Sequence, residues 1–132
     1  MAGEGGAPSE KINIGFPFNG RSFLGVEGLY QVHEGNDETT WWLDKGVPQY
    51  YNIIDKMDEY TSFRNEQTIM TQVAYGEVGL KSYDDERVIC DKTEYAQVNK
   101  VNGYIIWELS DDLIEDLSAP LLDALAMLVM AS

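Results

Sequence analysis

Cysteine and histidine are nearly absent: the 132 residues contain one of each, Cys90 and His33. One cysteine forbids an intrachain disulfide and leaves a cysteine-based zinc site short of the four ligands it normally needs. One histidine is equally poor material for a His-rich metal centre or a Ser-His-Asp triad. No metal or organic cofactor is therefore expected, and Cys90 reads as a buried, inert thiol on a helix. Basic residues are also scarce, nine against 23 acidic, for a net charge of −14. Such a chain repels phosphate backbones and anionic membranes, which argues against nucleic-acid binding. The acidic surplus otherwise serves solubility. Missing too is an apolar run that would span a membrane or serve as a signal peptide. Residues 1–10 are Gly-rich, polar and acidic and read as a flexible leader.

What is present is ordinary globular material, with 44% hydrophobic residues and 11% aromatics. Residues 11–16 alternate and then run apolar into Pro17, the pattern of a short buried strand ending at a turn. From Leu24 to about Lys81 short β-prone pieces are broken by Gly, Asn and Asp. Within this stretch 47–57 reads as a helix, with Pro48 near its start and Tyr50, Ile54 and Met57 at i, i+4 and i+7. Residues 68–75 and 77–82, joined at Gly76, read as an antiparallel hairpin. Ser82-Tyr83-Asp84-Asp85 has the form of a capping box and predicts a helix start. Val88, Tyr95 and Val98 are expected on its buried face, with Asn102-Gly103 as its stop. Tyr104-Ile105-Ile106-Trp107 then forms a strand, so that strand, long excursion, helix and strand follow in the order of a parallel crossover. Ser118-Ala119-Pro120 opens a last helix that is apolar on nearly every side, a type normally covered on more than one face.

Two segments carry a family resemblance. Lys11-Ile12-Asn13-Ile14-Gly15-Phe16-Pro17-Phe18-Asn19-Gly20-Arg21 and Tyr104-Ile105-Ile106-Trp107-Glu108-Leu109-Ser110-Asp111-Asp112 resemble the last two barrel strands of glycoside hydrolase family 18, the chitinases and chitinase-like lectins. Gly28-Leu29-Tyr30-Gln31, Trp41-Trp42-Leu43-Asp44-Lys45-Gly46-Val47-Pro48-Gln49-Tyr50-Tyr51 and Ser82-Tyr83-Asp84-Asp85 look like that family's chitinase insertion domain and the helix after it. The resemblance runs from residue 11 to the C-terminus. It implies an α/β fold: a partial (β/α)8 barrel, its last two strand–helix units in 11–23 and 83–132, with a small α+β insertion subdomain in 24–82. A whole barrel of this type takes roughly 250 residues. Family members are commonly secreted.

The resemblance also implies site residues. Trp107 corresponds to the tryptophan that floors the family's sugar cleft, an indole offering a flat apolar face to sugar C–H groups; the alternative is a barrel tryptophan that only packs. Arg21 matches the arginine of the family's Y-G-R turn, which shapes the cleft, or else bridges surface carboxylates. Asn19 stands where the family carries that turn's tyrosine, so a hydrogen-bonding phenol is missing. Trp41, Trp42, Tyr50 and Tyr51 are either a sugar-stacking wall or the core that a 58-residue unit needs. Asp111 and Asp112 are expected to cap the turn that follows them. The family's catalytic signature, D-x-x-D-x-D-x-E, supplies an acid Glu and an Asp that orients the substrate's own acetamido nucleophile, and no segment of the 132 residues reads that way. The resemblance thus implies chito-oligosaccharide binding without catalysis by this chain alone. The other implied partner is a protein or a second copy, docked on the apolar last helix and the unpaired strand edges.

Overall fold

A computed structural model describes residues 6–42, 45–65, 72–76 and 79–131. Strand β1 is Asn13–Pro17, β2 Arg21–Leu24, β3 Thr61–Arg64, β4 Gln72–Gly76, β5 Gly79–Tyr83 and β6 Gly103–Trp107; helices are α1 Tyr50–Asp55, α2 Glu86–Val98 and α3 Pro120–Ala131. They form two sheets. β1 and β6 pair in parallel, Gly15 opposite Ile105 and Pro17 opposite Trp107. The order β2-β5-β4-β3 makes a four-stranded antiparallel sheet.

Among the described residues, the parallel pair is covered on one side only. Ile14, Phe16, Tyr104 and Ile106, alternate residues on each strand, pack into the main core with Ile89, Leu121 and Leu125 of α2 and α3. On the other side, Ile105 and Trp107 remain 55% and 71% exposed. Period-2 alternation therefore divides each strand between a helix-packed face and an open one. The core continues through Phe18, Tyr50, Ile53 and Tyr83. α1 is thereby joined to the C-terminal end of β1.

Several sequence expectations shift. The 47–57 helix shrinks to α1, and its buried face is Tyr50 and Ile53 rather than Tyr50, Ile54 and Met57. It ends because the Lys56 amide turns back to Ile53 and Ile54, after which Met57–Glu59 form a 3-10 turn. The expected hairpin is β4–β5, with Gly76 opposite Gly79; its predicted residues 68–71 and 77–78 lie outside the described residues, as do Leu43, Asp44 and leader residues 1–5. Ser82 and Tyr83 belong to β5, and the cap of α2 is Asp85, whose carboxylate accepts the Val88 amide at 2.9 Å. The buried face of α2 is Val88, Ile89, Thr93 and Ala96, while Tyr95 and Val98 are exposed. A one-residue error in phase was enough to choose the wrong stripe, because each residue turns the helix by about 100°. Gly103 opens β6 instead of closing α2. In α3, Pro120 occupies the first turn as expected, but only Leu121 and Leu125 are buried. Cys90 is half-buried rather than buried. Burial and the carboxylates of Asp91, Glu94, Asp85 and Glu86 push its thiol pKa up, which keeps it protonated.

Candidate functional site

The site grows from the turn after β1. Pro17 ends the strand, and the parallel ladder extends one step further through the Phe18 amide, which donates to the Trp107 carbonyl at 2.9 Å. Residues 18–22 are then fastened to 46–50. The amides of Gly20 and Ser22 donate to the carbonyls of Pro48 (2.7 Å) and Gly46 (3.1 Å), and the Tyr50 amide to that of Phe18 (3.0 Å). Asn19 and Gln49 face each other as an isolated antiparallel bridge. Gly20 is required by this crowding: a Cβ there would stand 2.8 Å from Ile53 Cδ1 and 3.0 Å from the Ser82 carbonyl oxygen.

Held this way, Asn19 and Arg21 line one cleft of about 380 Å³ together with Pro17, Ser82, Asp84 and Lys92. Arg21 is exposed and Asn19 half-buried. The cleft wall carries an Asp84–Lys92 ion pair. Burial pushes the Asp84 carboxyl pKa up, and the Lys92 ammonium pulls it back. Trp107 does not line this cleft. It sits beside Pro17 in register, at the C-terminal end of the parallel pair and on its open face. The sequence-predicted trio is thus split between a polar cleft and an exposed indole, joined through Pro17. Ligand sites in βα-barrels gather at this end of the strands.

The carboxylates after β6 have other work. Glu108 is exposed and accepts the Ser110 hydroxyl at 2.8 Å. Asp112 is fully buried, and its two carboxylate oxygens accept the backbone amides of Leu121 (3.0 Å) and Leu122 (2.8 Å). It caps α3 across nine and ten residues rather than the turn next to it. Burial raises the pKa of its carboxyl against the pull of these two amides. Asp111 is also buried. The aromatic cluster divides: Trp41 and Tyr50 are buried at 5% and 2%, whereas Trp42 is 71% exposed. Among the described residues no group of three or more His, Cys, Asp or Glu could hold a metal ion. No helix among them is long and apolar enough to cross a membrane.

Sequence reasoning missed Lys81. It is 1% exposed, its ammonium has no hydrogen-bond partner among the described residues, and it lies 3.2 Å from the Tyr60 ring centroid and 4.8 Å from that of Trp41. Its strand neighbours Leu80 and Ser82 gave no signal of this, because the rings that cage it come from 21 and 40 residues away in the chain.

A parallel β-α-β unit with its open face and cleft at the strands' C-terminal ends is the local geometry of a barrel-type α/β protein. The family match is direct: residues 1–112 fit the model of glycosyl hydrolases family 18, and the chain belongs to that family. Among curated relatives, chitinase A1 of Niallia circulans is 31% identical over 119 residues, covering 83% of this chain and 17% of that protein. Probable chitinase 2 of Drosophila melanogaster is 25% identical over 132 residues, 81% of this chain and 25% of that protein. Among solved structures, human YKL-39, described as a pseudo-chitinase with retained chitooligosaccharide binding properties, superposes with a TM-score of 0.85 at 21% identity, over 96% of this chain and 37% of that one. The chain thus spans a quarter or less of the length of these two curated relatives.

Proposed function

We propose that this chain forms the C-terminal portion of a family 18 barrel and binds chito-oligosaccharide without cleaving it. In this reading β1–α2 and β6–α3 are the last two strand–helix units, and 24–82 is the insertion subdomain. Trp107 is the platform on which a sugar ring stacks, and Arg21 and Asn19 supply donors and an acceptor from the neighbouring cleft. The observation that carries the reading is Trp107 itself: a large apolar ring left 71% exposed at the C-terminal end of a parallel strand, where folding alone gains nothing from it. Support for binding without hydrolysis comes from human YKL-39, a pseudo-chitinase by its description. Hydrolysis would need a D-x-x-D-x-D-x-E strand, which the 132 residues lack.

Titration of the chain with chitotetraose, followed by tryptophan fluorescence, tests this. Saturable binding should weaken at least ten-fold, about 1.4 kcal/mol, in Trp107→Ala, and less in Arg21→Ala. A flat response from a folded chain, or an unchanged affinity in Trp107→Ala, removes the proposal. A second reading rests on α3, where Met127 and Met130 are 74% and 87% exposed: the chain is an interaction subunit that docks a protein through this helix. A sugar-silent chain that self-associates, and becomes monomeric in Met127→Lys with Met130→Lys, would favour it.

A further inference from the structure

A second cleft, larger than the one at Asn19 and Arg21, is built from other residues. It is a groove of about 670 Å³ between α1 and residues 113–117, within the size range that takes a small ligand or a few residues of peptide. Its lining is apolar at Ile54, Leu113 and Leu117, which are 40%, 51% and 79% exposed. The 113–117 wall is preformed. The Leu117 amide donates to the Ile114 carbonyl at 2.9 Å, the Ile114 amide to the Ser118 carbonyl at 3.1 Å, and the Ser118 amide to the Asp116 carboxylate at 2.9 Å. Leu117 is held with φ at 65°, a left-handed conformation that L-residues avoid. A leucine locked into that backbone and pointed at water contributes little to the core.

Charge decides what fits. Asp55, Glu115 and Asp116 line the groove, all three exposed, and among the described residues no Lys, Arg or His lines it. The nearest lysine in sequence, Lys56, faces Glu59 at 4.0 Å. Hydrogen bonds from Ser118 hold the Asp116 carboxyl below the usual range, which keeps it ionised at neutral pH. We infer that this groove docks a segment of a partner polypeptide in which an apolar side chain is flanked by lysine or arginine. The apolar residue would fill the space between Ile54 and Leu117, and its basic neighbours would reach the three carboxylates. A second copy of the chain is disfavoured, since it brings another −14 to an acidic rim. Anionic lipid is disfavoured on the same ground, and a sugar would find no exposed aromatic platform here, because Tyr51 is half-buried.

Two labelled 12-residue peptides of identical leucine pattern, one otherwise lysine and one otherwise glutamate, serve as probes with the full chain at 0.15 M salt. Anisotropy should show saturable one-to-one binding of the lysine peptide alone. Leu117→Asp and the double variant Asp116→Asn with Glu115→Gln should each weaken it ten-fold or more. Glu94→Gln, on α2 and outside the groove, should change it less than two-fold. All four positions are exposed, and a circular dichroism spectrum confirms that each variant is folded. Equal loss in Glu94→Gln would mean diffuse attraction to net charge and would overturn the inference. So would binding of both peptides, binding of neither, or a chain dimer that Leu117→Asp dissolves.

Discussion

Replacing Lys81 with methionine removes a buried charge while keeping most of the side chain's length and volume. Lys81 is 1% exposed, and its ammonium lies over Tyr60 and Trp41 with no hydrogen-bond partner among the described residues. Burial lowers its pKa to about 8, with Lys56 acting in the same direction and Glu59 and Asp37 opposing. An unfolded lysine titrates near 10.4. Below pH 8 the group is charged in both states, and the fold bears the full desolvation penalty. As pH rises from 8 towards 10.4 the folded chain gives up its proton first, so stability climbs by up to about 1.4 kcal/mol per pH unit. A shift to about 8 corresponds to a penalty of about 3 kcal/mol; a desolvated cation–π contact returns about 2 kcal/mol. The net is on the order of 1 kcal/mol. Urea unfolding at pH 7.5 should therefore find Lys81→Met more stable by about 1 kcal/mol, and by pH 9.5, where the native chain has gained about 2 kcal/mol, the order should reverse. The raised pKa values of Tyr50 and Tyr60, and of Tyr83, pushed up to about 12, act above this window. The stability they confer is present below pH 10 and is lost only as pH rises through their folded values. Parallel pH profiles for the two chains, or a methionine variant weaker by 2 kcal/mol or more, would refute the reasoning.

Two further outcomes follow from packing and capping. Gly20→Ala should cost about 1–3 kcal/mol and loosen the 18–22 to 46–50 zipper, read as faster amide exchange at Gly20 and Ser22; unchanged stability would mean that Ile53 and the Ser82 carbonyl can give way. Asp112→Ala should cost about 1–2 kcal/mol with faster exchange at Leu121 and Leu122, and Asp112→Asn should recover part of it by keeping one acceptor; equal losses in both would show that the charge, not the capping geometry, matters.

Short-range signals were readable in the sequence and long-range ones were not. The parallel pairing of β1 with β6 was legible because apolar runs at Ile12–Phe16 and Tyr104–Trp107 flank a helix signal, and a strand–helix–strand order leaves few topologies. Pro120 at a helix start and the hairpin about Gly76 were local chemistry of the same kind. The phase of α2 was not legible, since its acidic and apolar residues fit two stripes and only tertiary packing buries Val88, Ile89, Thr93 and Ala96. Asp112 was recognisable as a cap, but the loop that carries it to Leu121 and Leu122 has no signature. Arg21 and Asn19 could be placed from motif order, yet their separation from Trp107 depends on the zipper to 46–50. That zipper uses backbone groups, to which side-chain identity is nearly silent.

The open face of the β1–β6 pair is where fold and proposed function meet. Parallel sheets are almost always covered on both faces, because crossover helices or further strands bury them. Here α2 and α3 cover one face, and the other presents Ile105, Trp107 and Gly15, where an added Cβ would meet nothing within 4 Å. Along this face the apolar demand has a gradient. Ile105 is an aliphatic side chain mid-strand, of the kind that barrel interiors bury in layers. Trp107 stands at the strand end, where its indole suits a ligand that is flat and apolar on one side and hydroxylated on its rim. A protein layer over Ile105 and a sugar over Trp107 are therefore compatible occupants of one surface, and they make opposite demands on substitution. Ile105→Asp should abolish association with a covering layer while leaving sugar stacking to Trp107. Trp107→Ala should do the reverse.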